Sequence, residues 1–272
     1  MGNPAAKAAR LGDFLLRVSI LGLIAGLAVC ATGAALASDA SNFKILKLEG
    51  NSVRWHKSTA GFQAPVVTYS LVSDSTDFPG ARNCRKMTSL DELTASSQVA
   101  MAAMREEISA AFAMWESVAG ISFREATDPA KADILIGAQV EPEGWAFADV
   151  FYDARSPDEI KPISRSLVCL NPTKRWKIGF DGDLKIYDLR YTLTHEIGHA
   201  IGLDHPSGAG SIMGYRYEER FRDLQPGDVQ GALVLYGPRA PTELATEHPL
   251  PEGPARPSAA RPLSRALGTT QP

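Results

Sequence analysis

The chain has 272 residues, 44% of them apolar and 22% charged, an ordinary globular composition long enough for one catalytic-sized domain plus extras. A formal net charge of -3 and a pI near 6.0 leave no excess of clustered Lys and Arg, which excludes nucleic acid and anionic membrane surfaces as partners. No internal repeat of fixed period runs through the sequence.

Lys7, Arg10 and Arg17 precede an apolar run from Val18 to about Ala31, and small residues then lead to Ala35-Leu36-Ala37 ahead of Ser38. Charged start, apolar middle and A-x-A exit are the order of a secretory signal peptide, here residues 1–37, and imply a secreted or periplasmic protein. Residues 18–37 also have about the length needed to span a bilayer, so a membrane anchor is the alternative. Cleavage after Ala37 removes Cys30 and leaves Cys84 and Cys169. An even count permits a disulfide in an exported protein, but spacing does not distinguish a bonded pair from two thiols.

Residues 38–62 form a polar N-terminal segment. Pro65 then opens Val66-Val67-Thr68-Tyr69-Ser70-Leu71-Val72, a β-branched and aromatic run that predicts a strand. A loop follows through Asp74, Asp77, Pro79 and Gly80. Ser96 or Ser97 caps a predicted helix reaching about Ala119, in which Met101, Met104, Ile108, Phe112 and Trp115 recur every three or four residues. Short strands are predicted over 121–123, 133–137, 145–152 and 166–170, and further helices over 188–202 and 226–236. Strands interleaved with helices in this way predict a mixed sheet with helices packed on it, not a sandwich or a bundle. From Pro238 onward, eight of the 18 prolines fall in 35 residues with almost no aromatics, a composition that predicts a disordered tail over 238–272.

Residues 195–205 read His-Glu-Ile-Gly-His-Ala-Ile-Gly-Leu-Asp-His and match H-E-x-x-H-x-x-G-x-x-H at every fixed position. On a helix His195 and His199 stack on one face and reach one metal ion. Gly202 lets the chain leave the helix and bring His205 back to the same ion. Three neutral nitrogens leave one tetrahedral position for water, the arrangement of a catalytic zinc site, and Glu196 beside the first ligand is placed as general base. The chain has five histidines, and three stand in this segment.

The segment resembles the metzincin zinc proteases, and Ser211-Ile212-Met213-Gly214-Tyr215 resembles their Met-turn, which makes Met213 an apolar floor under the metal and not a ligand. Tyr215 is similar to the tyrosine that astacins and serralysins hold near zinc, where it ligates reversibly or stabilises an oxyanion; a buried tyrosine with a satisfied hydroxyl is the alternative. Over about residues 53–237 the chain resembles the matrixins. Their first helix and next strands are echoed by Ala111-Phe112-Ala113-Met114-Trp115, Ile121-Ser122-Phe123 and Ala132-Asp133-Ile134-Leu135-Ile136, and their last helix by Gln225-Pro226-Gly227-Asp228-Val229 and Leu235-Tyr236-Gly237. Pro206 after the third histidine is more serralysin-like.

The resemblance implies an α+β metzincin fold. Its elements are a twisted, mixed, five-stranded sheet with two long helices above a cleft, and a small C-terminal subdomain with one helix. It also implies a catalytic domain over 63–237, catalytic zinc, and a monomer that takes a protein or peptide substrate in extended form along an edge strand, Trp145-Ala146-Phe147-Ala148-Asp149-Val150. The histidines of a matrixin structural zinc site are missing, and no Pro-Arg-Cys-Gly latch precedes the domain. Asp149, Asp153, Asp181 and Asp183 are candidates for calcium or plain solvated loop residues. A zinc-binding, non-proteolytic cell-surface module is disfavoured by Glu196, and a metal hydrolase for non-peptide substrates by the Met-turn.

Overall fold

The computed structural model describes residues 41–56 and 64–239. The leader expected over 1–37 and the tail beyond residue 239 lie outside the described residues. In chain order the strands are β1 (Lys44–Ile45), β2 (Lys47–Leu48), β3 (Asn51–Arg54), β4 (Val66–Leu71), β5 (Thr76–Asp77), β6 (Lys86–Thr88), β7 (Ser122–Glu125), β8 (Ile134–Gln139), β9 (Ala146–Tyr152), β10 (Lys161–Leu170), β11 (Trp176–Lys177), β12 (Tyr187–Asp188) and β13 (Leu203–Asp204). The helices are α1 (Asp91–Ser97), α2 (Met101–Val118), α3 (Leu189–Ala200) and α4 (Pro226–Tyr236).

Five strands make the body of the main sheet: β7, β4, β8 and β10 lie side by side and parallel, and β9 runs antiparallel along β10. With β2, β3, β5 and β6 the sheet counts nine strands among the described residues, and the added ones escape the sequence because runs of two to four residues show too little alternation to be read from pattern. Residues 44–54 belong to this domain, since β3 pairs with the start of β10 and β1 with β13.

Both faces of the sheet are covered, and the period of two separates them. Ile134, Ile136, Ala138, Val168 and Leu170 join the main core with Met104, Ile108, Phe112 and Trp115 of α2 and Leu193 and Ile197 of α3. Their neighbours Leu135, Leu167 and Cys169 face the other way, onto a smaller core of Val72, Phe78, Ala81, Cys84 and Met87. Each fully buried large side chain stabilises by about 1.5–3 kcal/mol. Cys84 and Cys169 are joined in a disulfide across 85 residues of chain, with Cα atoms 5.7 Å apart. In the chain-entropy account such a closure restrains the unfolded state by about 4.5 kcal/mol.

The long helix expected from a Ser96 or Ser97 cap is corrected by the structure. Ser97 ends α1, Gln98 turns left-handed at φ 56, and α2 begins after Ala100. Seven residues span too few turns to display a helical period, so α1 reads as loop in the sequence. Polar contacts then help bind α2 to α3. Trp115 donates its indole N–H to the Thr194 carbonyl at 2.9 Å, and Arg190 clamps the buried Glu107 carboxylate through two bonds of 2.6 and 2.9 Å. A two-pronged, charge-assisted pair fixes orientation as well as distance.

Candidate metal centre and active site

Asp188 starts the helix that carries the site: its carboxylate accepts the Tyr191 N–H at 2.8 Å, an N-cap that satisfies one of the free amides of the first turn. The opposite face of α3, with Leu189, Leu193, Ile197 and Ala200, is buried in the main core. His195 and His199 therefore point toward a cleft of about 830 Å3 whose lining includes both, together with Glu196, His205, Tyr215, Tyr217, Tyr191 and residues 144–151.

Gly202, at φ +103, ends the helix in a conformation that side chains rarely adopt, and β13 then delivers His205. The three Nε2 atoms converge: 3.0 Å between His195 and His205, and 3.2 Å from His199 to each of the others. The Nδ1 atoms of His195 and His199 lie 2.7 and 2.8 Å from the carbonyls of Ile212 and Leu203. Since a carbonyl only accepts, each Nδ1 carries the proton and each Nε2 presents a lone pair. Lone pairs facing one another at such distances repel unless a cation lies between them. Nitrogens held about 2.0–2.1 Å from a tetrahedral zinc are separated by about 3.3 Å. The donor set thus fits zinc closely. Burial lowers all three imidazoles from the ordinary histidine value, His195 well below it and His199 to about 4, which favours the neutral rings that bind metal.

Among the described residues this is the only group of three or more His, Cys, Asp or Glu side chains that gathers its donor atoms in this way. The calcium candidates are engaged otherwise. Asp149 accepts three hydrogen bonds from Asn83 and Cys84, Asp181 pairs with Lys177, and Asp153 and Asp183 accept backbone N–H groups of Arg155 and Lys185.

Glu196 is 7% exposed, lines the cleft and has no hydrogen-bond partner among the described residues. Burial first, and the charge of Asp149 second, push its carboxyl up to about 8. Tyr215 is 82% exposed with its ring 5.2 Å from that of His205, which removes the reading of it as a buried core tyrosine. Met213 lies beneath the site against α3. A Cβ on Gly198 would overlap the Met213 sulfur and come within 2.9 Å of the Trp115 ring, so the glycine of H-E-I-G-H is required by packing.

Sequence reasoning missed Asp228, read only as part of the last helix. Its buried carboxylate accepts the N–H groups of Ile212 (2.9 Å), Met213 (3.1 Å) and Gln225 (2.9 Å), and so ties the Met-turn to the start of α4. The signal was an acid at the third position of a helix opening with Gln-Pro, the reciprocal cap of a helix start. Asp228→Ala leaves three inward amides without acceptors and is expected to lower unfolding free energy by on the order of 3 kcal/mol, measured by chemical denaturation. A change under about 0.5 kcal/mol would show that the turn holds itself.

The wall beyond His195 is aromatic. Trp145 stacks on Tyr187 with centroids 3.9 Å apart, and Tyr187 on Tyr217 at 4.1 Å. Glu219 fastens this wall from behind, accepting from Tyr217 Oη and from the amides of Asp181 and Gly182 while pairing with Lys177.

The comparisons with known proteins agree with this geometry. Metalloendoproteinase 1-MMP of Arabidopsis thaliana is 35% identical over 140 residues, 47% of this chain and 36% of that protein. Matrix metalloproteinase-19 of Mus musculus is 29% identical over 175 residues (57% and 30%), and matrix metalloproteinase-26 of Homo sapiens 27% over 150 residues (52% and 54%). The chain thus spans about a third of the first two relatives and about half of the third. The family model described as Matrixin matches residues 85–237, more than half of the chain and all of the zinc-site elements from α3 to α4. With three convergent histidines, a methionine beneath them and that match, the chain belongs to the matrixin family of metzincins.

Proposed function

We propose that this protein is an exported zinc metalloendopeptidase that hydrolyses internal peptide bonds of proteins bound in extended conformation. The observation that carries the reading is the convergence of three imidazole nitrogens next to an unpartnered, cleft-facing Glu196. His195, His199 and His205 are the ligand set. Zinc held by them would supply a Lewis acid, lowering the pKa of water in the cleft toward 7 and polarising the scissile carbonyl. Glu196 takes a proton from the water as its oxygen bonds to the carbonyl carbon. It returns the proton to the amide nitrogen as the C–N bond breaks. A carboxyl whose ordinary pKa is lifted toward neutrality suits both halves of that exchange, and a neighbouring cation keeps it ionised for the first. Tyr215 is assigned the stabilisation of the oxyanion from the open side of the cleft, and Met213 the apolar floor. Hydrolysis of casein that stops with a zinc chelator or a hydroxamate and returns with added zinc tests the reading; an unaffected casein refutes it.

Substrate pairing is supported by the ladder between β9 and β10. Asn171 donates to the Trp145 carbonyl at 2.8 Å, so by antiparallel alternation residues 147 and 149 turn their backbone groups to β10. Residues 146, 148 and 150 then present theirs outward, and among the described residues nothing pairs with that edge. An extended peptide adds there as one more strand, with affinity from main-chain bonds. Ala148→Pro removes one outward donor and spares the ladder. It is expected to raise KM for long peptides severalfold at wild-type zinc content, and an unchanged KM would mean that substrate lies elsewhere.

We assign residues 1–37 to a cleaved leader, 63–237 to the catalytic unit with the strands of the 38–62 segment added to it, and 238–272 to the tail. Among the described residues no helix is long and apolar enough to cross a membrane. A Cys84–Cys169 disulfide suits the oxidising compartments that a secreted protein passes through. The proposed working form is a monomer.

A further inference from the structure

The match to the matrixin family begins at residue 85, and the loop just ahead of it forms one wall of the cleft through Gly80, Ala81, Arg82 and Asn83. Three restraints hold this loop against the outer face of the sheet. Cys84 is bonded to Cys169 of β10. The Asp149 carboxylate, on β9, accepts the N–H groups of Asn83 and Cys84 at 2.8 Å each and the Asn83 side-chain amide at 3.1 Å. Phe78 and Ala81 are buried in the smaller core. The loop between β5 and β6, residues 78–85, is pinned at both ends, which keeps its crest in one place.

Arg82 is at that crest. It is exposed, makes no hydrogen bond or ion pair among the described residues, and is the only Lys or Arg in the cleft lining. None of the carboxylates in the lining pairs with it: Asp149 accepts from the loop amides, Asp204 pairs with Lys44 at 2.6 Å, and Glu196 lies beside the histidines. The wall over β9 therefore presents a guanidinium that has no ion-pair partner among the described residues to a chain laid along the strand. The guanidinium offers a planar fork of donors matched to a carboxylate.

We infer that Arg82 is a specificity-determining residue that selects an Asp or Glu side chain at one substrate position along this end of β9. The inference rests on the endopeptidase reading above. Because the pair is open to solvent, its effect is set by the modest strength of exposed ion pairs, about two- to fivefold in KM, with turnover of the bound peptide left to the zinc site. It also shrinks as salt shortens the reach of charge.

The test uses the full chain and a peptide series in which Glu, Gln or Lys is walked through each position on both sides of the cut. Wild type is expected to show one position where Glu gives a two- to fivefold lower KM than Gln at similar kcat, with the difference fading at about 0.5 M salt. Arg82→Glu is expected to turn the preference at that position to Lys at wild-type zinc content, and Arg82→Lys to keep part of the Glu preference. A wild type that digests casein but shows no such position, or a Glu preference that survives Arg82→Glu, overturns the role of Arg82 alone. A zinc-loaded wild type that cuts neither casein nor any peptide overturns the endopeptidase reading together with it.

Discussion

Glu196→Ala is expected to cut turnover by roughly a hundred- to ten-thousand-fold, the usual contribution of a general acid–base group, while the protein keeps one zinc per chain. The two effects separate because of where the groups sit. Three imidazoles alone form the donor set, two of them held in the metal-binding tautomer by the carbonyls of Ile212 and Leu203. The Glu196 side chain bonds to none of them, so its removal leaves the ligands in place and deletes only the proposed proton acceptor. Ala also deletes a buried carboxyl that has no partner, so stability is expected to hold or rise slightly. His199→Ala is the contrasting variant: it removes one of three ligands and is expected to lose metal and activity together. Metal content by elemental analysis beside kcat on a fluorogenic peptide decides the matter. Near-native turnover by Glu196→Ala would remove Glu196 from the mechanism.

Gly202→Ala is expected to be the most damaging single methyl group in the domain. At φ +103 an added Cβ strains the backbone, by about 1–3 kcal/mol. It would also overlap the Val53 carbonyl oxygen, a backbone atom of β3 that cannot swing aside, and lie 3.2 Å from Leu235 of α4. The relief available is to move the turn, and His205 is three residues along it. The expected result is a loss of on the order of 3–5 kcal/mol in unfolding free energy together with weaker zinc binding in a chelator competition. Gly50→Ala is the control. It has φ +84 but nothing within 4 Å of the added carbon, and it is expected to cost about 1 kcal/mol with zinc affinity intact. Equal effects from the two substitutions would show that backbone strain alone, not contact with β3, makes Gly202 necessary.

The zinc ligands were legible in the sequence because a helix converts spacing into direction: four residues bring His199 above His195, and a glycine at the helix end permits the return to His205. The same regularity made α3, α4 and the parallel strands visible, since 11 or 12 residues of helix and six of buried strand each carry a period. What escaped was short or distant. α1 is too brief to show a period. Asp228 acts on amides 15 and 16 residues away, and Glu107 on a guanidinium 83 residues away, and no local pattern announces such partners.

Residues 195–213 by themselves determined the metal's donor set and the class of chemistry, because coordination needs particular side chains at spacings that one helix and one turn supply. The tertiary structure alone decided what surrounds them. Whether β9 is an edge depends on which strands pair across the sheet. Whether Cys84 reaches Cys169 depends on a fold that closes 85 residues of chain. Whether Arg82 stands over the cleft depends on that disulfide and on Asp149. These are contacts between segments far apart in sequence, set by the packing of two apolar layers on one sheet, and such contacts have no spacing from which to be read.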